Sequence, residues 1–150
     1  MPLAAELRDG DLLLRPFRDG DDEEIGVDLR LEPFMGLPPE GPPPERDPDA
    51  PAWAIAEGGR AVGRIWMRPH RRPFEVGYAL HPDARGRGLA TRALVLVRDY
   101  MGEPLELFTH PLNTASQRVA ERAGFRRDGV VENYARFRDG ESTALKFVWP

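Results

Sequence analysis

The sequence contains no cysteine, which excludes disulfide staples, thiol catalysis and cysteine-bound metal. No stretch approaches the roughly 20 apolar residues of a membrane span. The opening MPLAAELRDGDLLLR carries an acid at Glu6 and lacks the long apolar core of a signal peptide, so a cytoplasmic protein without a membrane partner is expected. No internal repeat is apparent. Stability must therefore come from burial, and 150 residues that are 41% hydrophobic are enough for one domain, 1–150, with its own core. The 25 acidic against 21 basic residues, a formal charge of −4, weigh against a protein built to grip nucleic acid.

Proline (16) and glycine (15) are abundant, and their positions divide the chain. DGDLLLRPF, Asp9 to Phe17, reads as a first strand at an edge or terminus because of Pro16. Acidic residues gather at the front of a helix expected from Asp21 to Leu31, where the helix dipole favours them. From Phe34 to Pro51 the chain becomes FMGLPPEGPPPERDPDAP, a proline-rich loop longer than usual connections: either a solvated linker or a wall beside a site. Three strands follow as an antiparallel meander: Ala52 to Gly58, Arg60 to Arg68 and Phe74 to Pro82. The period then changes: Leu89, Ala93, Leu96, Val97 and Tyr100 mark a helix that Gly102 ends. PLELFTH is a further strand and NTASQRVAERAGF a second helix, with Thr114 as its cap and Gly124 as its stop. In the tail, VVENYARFRDGESTALKFVW reads as two strands around Asp139 and Gly140. The sum is a mixed α/β sheet.

The segment HPDARGRGLATRA, His81 to Ala93, joins a strand to a helix. Gly86 and Gly88 leave backbone amides unobstructed, and the helix start adds unpaired N–H groups and a favourable dipole for an anion. Arg85 and Arg87 either add charge or point to solvent. This is neither the phosphate loop of nucleotide hydrolases, whose lysine and serine or threonine are missing, nor the dinucleotide fingerprint, whose third glycine position is Thr91. By itself the loop is either a turn or a diphosphate cradle.

Two spaced motifs narrow the choice. RGRGLA resembles the R/Q-x-x-G-x-G/A pyrophosphate loop of the GNAT superfamily of N-acetyltransferases. NTASQRVAERAGF resembles the N-x-x-S…G-F element of the ribosomal-protein N-terminal acetylating (RimJ/RimL-type) branch; LLLRPF and FEVGYALHP are similar to that branch too. The resemblance implies a single-domain GNAT fold, a mostly antiparallel sheet with flanking helices and a V-shaped gap for acetyl-CoA. It implies that Arg85 and Gly86 belong to the pyrophosphate loop, that the amides of Arg87, Gly88, Leu89 and Ala90 receive the pyrophosphate, and that Val76, Gly77 and Tyr78 face the pantetheine arm. Asn113 would bond that arm and Ser116 would lie near the sulfur. The acceptor implied is an amine, either a protein N-terminus or a small molecule, with the protein a monomer or homodimer.

Transfer to an amine needs a proton acceptor, a donor for the tetrahedral oxyanion and a donor for the departing thiolate, with no metal and no covalent enzyme intermediate. Glu75 is either the candidate base or a residue with surface or ion-pair duty, and strict alternation sets it opposite Val76 and leaves its face dependent on a bulge. Tyr134 is a proton donor or acceptor-pocket wall, or else an ordinary packing residue. His81 is a strand-end residue; His110 is a candidate member of a water chain; Glu132, Asp139 and Glu141 either draw in a cationic amine or are simply solvated. Many family members carry a tyrosine four positions before the glycine of G-F, where this chain has Ala120, leaving Ser116 or water to meet the thiolate. A non-catalytic acyl-CoA-binding domain is the competing expectation.

Overall fold

The structure, a computed structural model, describes residues 5–28, 32, 34, 50–68 and 72–150. Among these described residues eight strands form one sheet in the order β1-β2-β3-β4-β5-β6-β8-β7. The expected first strand is instead a hairpin, β1 (Leu7–Asp9) and β2 (Leu12–Arg15). Gly10 and Asp11 turn the chain so that the residues before them pair back on β2. β1 thus takes the edge and β2 lies between it and β3, so of the edge and terminus alternatives it is the terminus that Pro16 marks. Pro16 falls just past β2, where its missing N–H costs no ladder bond.

Helix α1 spans only Asp21–Ile25, not Asp21 to Leu31. Gly26, at φ +65°, adopts the left-handed C-cap that closes its single turn. Residues 29–31, and 35–49 of the proline-rich stretch, lie outside the described residues.

The meander forms as the alternation dictates: β3 (Ala52–Glu57), β4 (Arg60–Arg68) and β5 (Phe74–Leu80) are successive antiparallel neighbours. Helix α2 (Leu89–Met101) buries Leu89, Ala90, Ala93, Leu94, Val97 and Met101 against the sheet, and Gly102 caps it as expected. After β6 (Leu105–Thr109) comes α3 (Thr114–Arg122). Its cap is Asn113, whose side chain accepts from the Ser116 N–H at 3.1 Å, whereas Thr114 is already helical. The tail strands also differ from the reading. β7 is Arg126–Val131 and β8 is Ala144–Trp149, with β8 between β6 and β7. The segment 132–143 folds into a connection pinned by Tyr134 N–H to Ser142 O and Phe137 N–H to Glu141 O.

The larger core lies between the sheet and α2 and α3. A smaller one, Ile25, Val27, Ala61 and Ala79 with Phe17 and Trp66, covers the opposite face. Among the described residues no helix is long and apolar enough to cross a membrane.

Candidate active site

The pairing of β5 with β6 is parallel and ends almost at once: only Phe74 with Leu105 and Glu75 with Glu106 are partners. Beyond Glu75 the two strands diverge and open a V in the sheet, occupied by a cavity of about 540 Å³. Backbone groups that a continuous ladder would have paired face this gap instead, which makes it a place for a polar, extended ligand.

At the mouth of the gap β5 ends at Leu80, and His81 just past it caps the short turn Pro82–Ala84, its Nδ1 accepting from the Asp83 N–H at 3.1 Å. Gly86 (φ +77°) and Gly88 (φ +78°) then turn the chain into α2. A side chain at either would meet nothing within 4 Å, so the left-handed backbone, not lack of space, requires glycine there. Gly88 is the cap residue, and among the described residues no side chain caps the first-turn amides. Gly86, Gly88, Leu89, Ala90 and Thr91 line the cavity, so an anion-ready helix start faces it. Arg85 lines the cavity together with its partner Glu32, and Arg87 does not. Arg85 Nε donates to Leu80 O at 3.1 Å and its guanidinium pairs with Glu32 at 3.0 Å, while Arg87 pairs with Glu57 at 2.9 Å.

The register of β4 with β5 runs unbroken from Gly63–Leu80 to Arg68–Glu75, so no bulge turns Glu75 over. Phe74, Val76 and Leu80 belong to the core beneath α2, with Tyr78 packed against it. Glu75 and Gly77 share the opposite face with Ala79. Glu75 nevertheless lines the cavity, because the sheet opens immediately after it. The gap therefore has a helix face, carrying Tyr78 and Ser116, and an opposite face carrying Glu75.

On that opposite face Glu75 is 3% exposed. One of its carboxylate oxygens accepts from the Tyr134 hydroxyl at 2.9 Å and the other meets Arg68 Nε at 2.7 Å. Tyr134 is in turn stacked on Phe108 at 4.7 Å. On the helix face the Tyr78 and Ser116 hydroxyls are 2.7 Å apart. Burial pushes the Tyr78 phenol up to about 12, against a smaller lowering by the Ser116 hydrogen bond. Val76, Gly77, Asn113 and Thr109 complete the wall. Thr109 Oγ1 is buried with no hydrogen-bond partner among the described residues.

The family model of the acetyltransferase (GNAT) domain matches residues 11–126. The chain belongs to the GNAT family. A mycothiol acetyltransferase of Salinispora arenicola (strain CNS-205) is 29% identical over 146 residues, covering 82% of this chain. The chain spans 47% of that relative's length. Among solved structures, the RimL ribosomal L7/L12 alpha-N-protein acetyltransferase in complex with coenzyme A is similar at TM-score 0.81 and 13% identity, over 97% of each chain. Mycobacterium smegmatis RimJ in complex with CoA-disulfide is similar at TM-score 0.77 and 20% identity, over 97% of this chain and 85% of that one. These structural likenesses carry the GNAT fold.

Within this GNAT domain His110, Asp139 and Glu141, among the remaining candidates, are engaged in hydrogen bonds of the 110–143 segment. His110 is buried; its Nδ1 accepts from the Leu112 N–H at 3.0 Å, which leaves Nε2 to donate to Asp139 at 2.8 Å. Its ring lies 4.8 Å from both Phe34 and Phe137. Both nitrogens are thus occupied, and the ring is a wall. Asp139 accepts from the Glu141 N–H, and Glu141 from the N–H groups of Ser142 and Thr143. These backbone bonds hold both carboxyls below the usual range. Neither they nor Glu132 line the cavity. The sequence reading missed Trp66, Phe108, Thr109 and the α3 arginines Arg118 and Arg122, all on the cavity wall. Trp66 carried a signal: it faces Gly77 across the β4–β5 register, a glycine opposite a tryptophan.

Proposed function

We propose that this chain transfers the acetyl group of acetyl-CoA directly to a primary amine, and that the acceptor is a protein N-terminal α-amine. The observation that carries the reading is the gap after Glu75, open to both faces of the sheet with the uncapped start of α2 at its mouth. The residues present suit the coenzyme. The amides from Gly88 to Ala90 are available to a pyrophosphate, and the exposed β5 backbone at Val76–Tyr78 can pair with the pantetheine amides. Asn113 has committed its carbonyl oxygen to the Ser116 amide, so it offers the arm its amide N–H groups.

The two faces divide the chemistry. On the opposite face Glu75, oriented by Arg68 and Tyr134, accepts the proton that the amine loses, directly or through water. On the helix face Ser116 meets the sulfur. Placing both reactants in one gap supplies rate by orientation. The choice of a peptide amine is supported by the likeness to RimL and RimJ over 97% of the chain and by the aromatic wall of Trp66, Phe108 and Tyr134, which can pack the first side chain of a peptide.

The test is turnover of acetyl-CoA, read as released thiol, against peptides with free N-termini and a panel of small amines. Peptides are expected to be the better acceptors. Faster turnover of small amines would overturn the peptide acceptor, and tight CoA binding without turnover on any amine would overturn catalysis.

A further inference from the structure

The hydroxyl pair on the helix face leads one step further, and this step rests on the acetyltransfer reading above. Tyr78 and Ser116 are 38 positions apart in sequence, yet their hydroxyls meet at 2.7 Å within the cavity wall. Ser116 lies in the first turn of α3, its own N–H already capped by Asn113. An isolated serine hydroxyl there rotates, and it can turn its hydrogen onto a nearby backbone carbonyl. A phenol beside it removes that freedom. The phenol is the more acidic hydroxyl and so the better donor, and once Ser116 Oγ accepts from it the serine's hydrogen must point elsewhere. The next turn of α3 offers no substitute, because Ala120 is fully buried in the core.

We propose that Tyr78 is a positioning residue for Ser116: its phenol donates to Ser116 Oγ and thereby directs the serine's own hydrogen at the sulfur of the departing coenzyme thiolate. As the tetrahedral adduct collapses, the C–S bond breaks and its electron pair goes to sulfur. Ser116 Oγ–H stabilises that charge, and the dipole of α3 adds to it. Sulfur then takes up one proton from water, equal to the one the amine releases, and Tyr78 keeps its own. Burial that raises the phenol to about 12 keeps it a donor throughout the neutral range and disfavours its loss of a proton. Tyr78 therefore orients and does not protonate.

The variants Tyr78→Phe and Ser116→Ala are compared with wild type using acetyl-CoA and its selenoester analogue, whose selenolate is a weaker base and needs less help to leave. Each variant is expected to lower kcat with acetyl-CoA roughly tenfold, the cost of about one transition-state hydrogen bond. CoA affinity by calorimetry should stay within about twofold of wild type, as for an interaction made only in the transition state. With the selenoester both variants should recover most of the loss, and the double variant should be no slower than either single one. A merely structural role would give the same deficit with both donors. Wild-type kcat in Tyr78→Phe, or an equal deficit with the selenoester, overturns the inference while leaving acetyltransfer intact. Should Tyr78→Phe fail to fold, wild-type kcat in Ser116→Ala overturns it alone. Wild-type protein that neither binds CoA nor turns over acetyl-CoA overturns the acetyltransfer reading and this inference with it.

Discussion

Gly77 and Trp66 show how one missing methyl group shapes the Glu75 face of the gap, proposed above to take the amine. They are partners across β4 and β5, and a Cβ on Gly77 would lie 2.5 Å from the Trp66 indole, far inside van der Waals contact. The ring therefore lies over the glycine and forms part of the cavity wall. In Gly77→Ala the indole must move, at about 1–3 kcal/mol of stability as an overpacked contact. The amine KM is expected to rise more than the acetyl-CoA KM, because the displaced ring belongs to the acceptor side; urea unfolding and steady-state kinetics check the two halves. Glu75 makes a second prediction. Glu75→Gln keeps the shape and the Tyr134 hydrogen bond but loses the proton acceptor, so kcat/KM should fall about 100-fold. Activity retained across pH would remove Glu75 as the base.

At the scale of elements, the start of α2 joins sequence to function directly. Gly88→Ala puts a Cβ on a residue at φ +78°, at a cost of about 1 kcal/mol. Relief of that strain rotates the first-turn amides, so the acetyl-CoA KM should rise while the amine KM holds; initial rates with each substrate varied decide it. This loop, the β3–β5 meander and α2 were legible in the sequence because each has a local cause: alternation, a helical stripe or a glycine pair. Elements without a local cause were not. β7 is exposed along most of its length, so its residues carry no buried face for alternation to reveal. The spacing of Ile25 and Leu29 suggested a long α1, and the capping power of Gly26 outweighed it. Asn113 and Thr114 are both good caps by type, and only the chain's path chose the first. The V itself depends on where parallel pairing stops, which no single strand encodes. The contacts of Glu75 with Tyr134 and of Tyr78 with Ser116 span 59 and 38 positions; in the sequence these residues were separate candidates without a known partner.

At the scale of the whole molecule, a buried ion pair outside the gap lining ties two elements together. Arg15, at the end of β2, and Asp21, which opens α1, are 4% and 5% exposed. They form two hydrogen bonds of 2.8 and 2.9 Å, and Asp21 also accepts from the Arg18 N–H at 2.7 Å. The pair joins the start of α1 to the end of β2, and with the Ala61 N–H donating to Glu24 it holds α1 beside the small core of Ile25, Val27, Ala61 and Ala79, with Trp66 against it. The Arg15 hydrogen bond, against an opposing cost of burial, holds the Asp21 carboxyl below its ordinary value. A carboxyl lowered by folding binds its proton more readily in the unfolded chain, so stability rises with pH between the two pKa values. Its contribution is complete above the ordinary aspartate value of about 4 and is lost as pH falls through the folded value. Asp21→Asn leaves Arg15 buried without its counter-charge and should cost about 2–4 kcal/mol at pH 7. In acid the wild type loses the same support, so the gap between the two proteins should narrow from pH 7 to pH 3 in urea unfolding. A difference that stays constant with pH would mean that packing, not charge, is what Asp21 supplies.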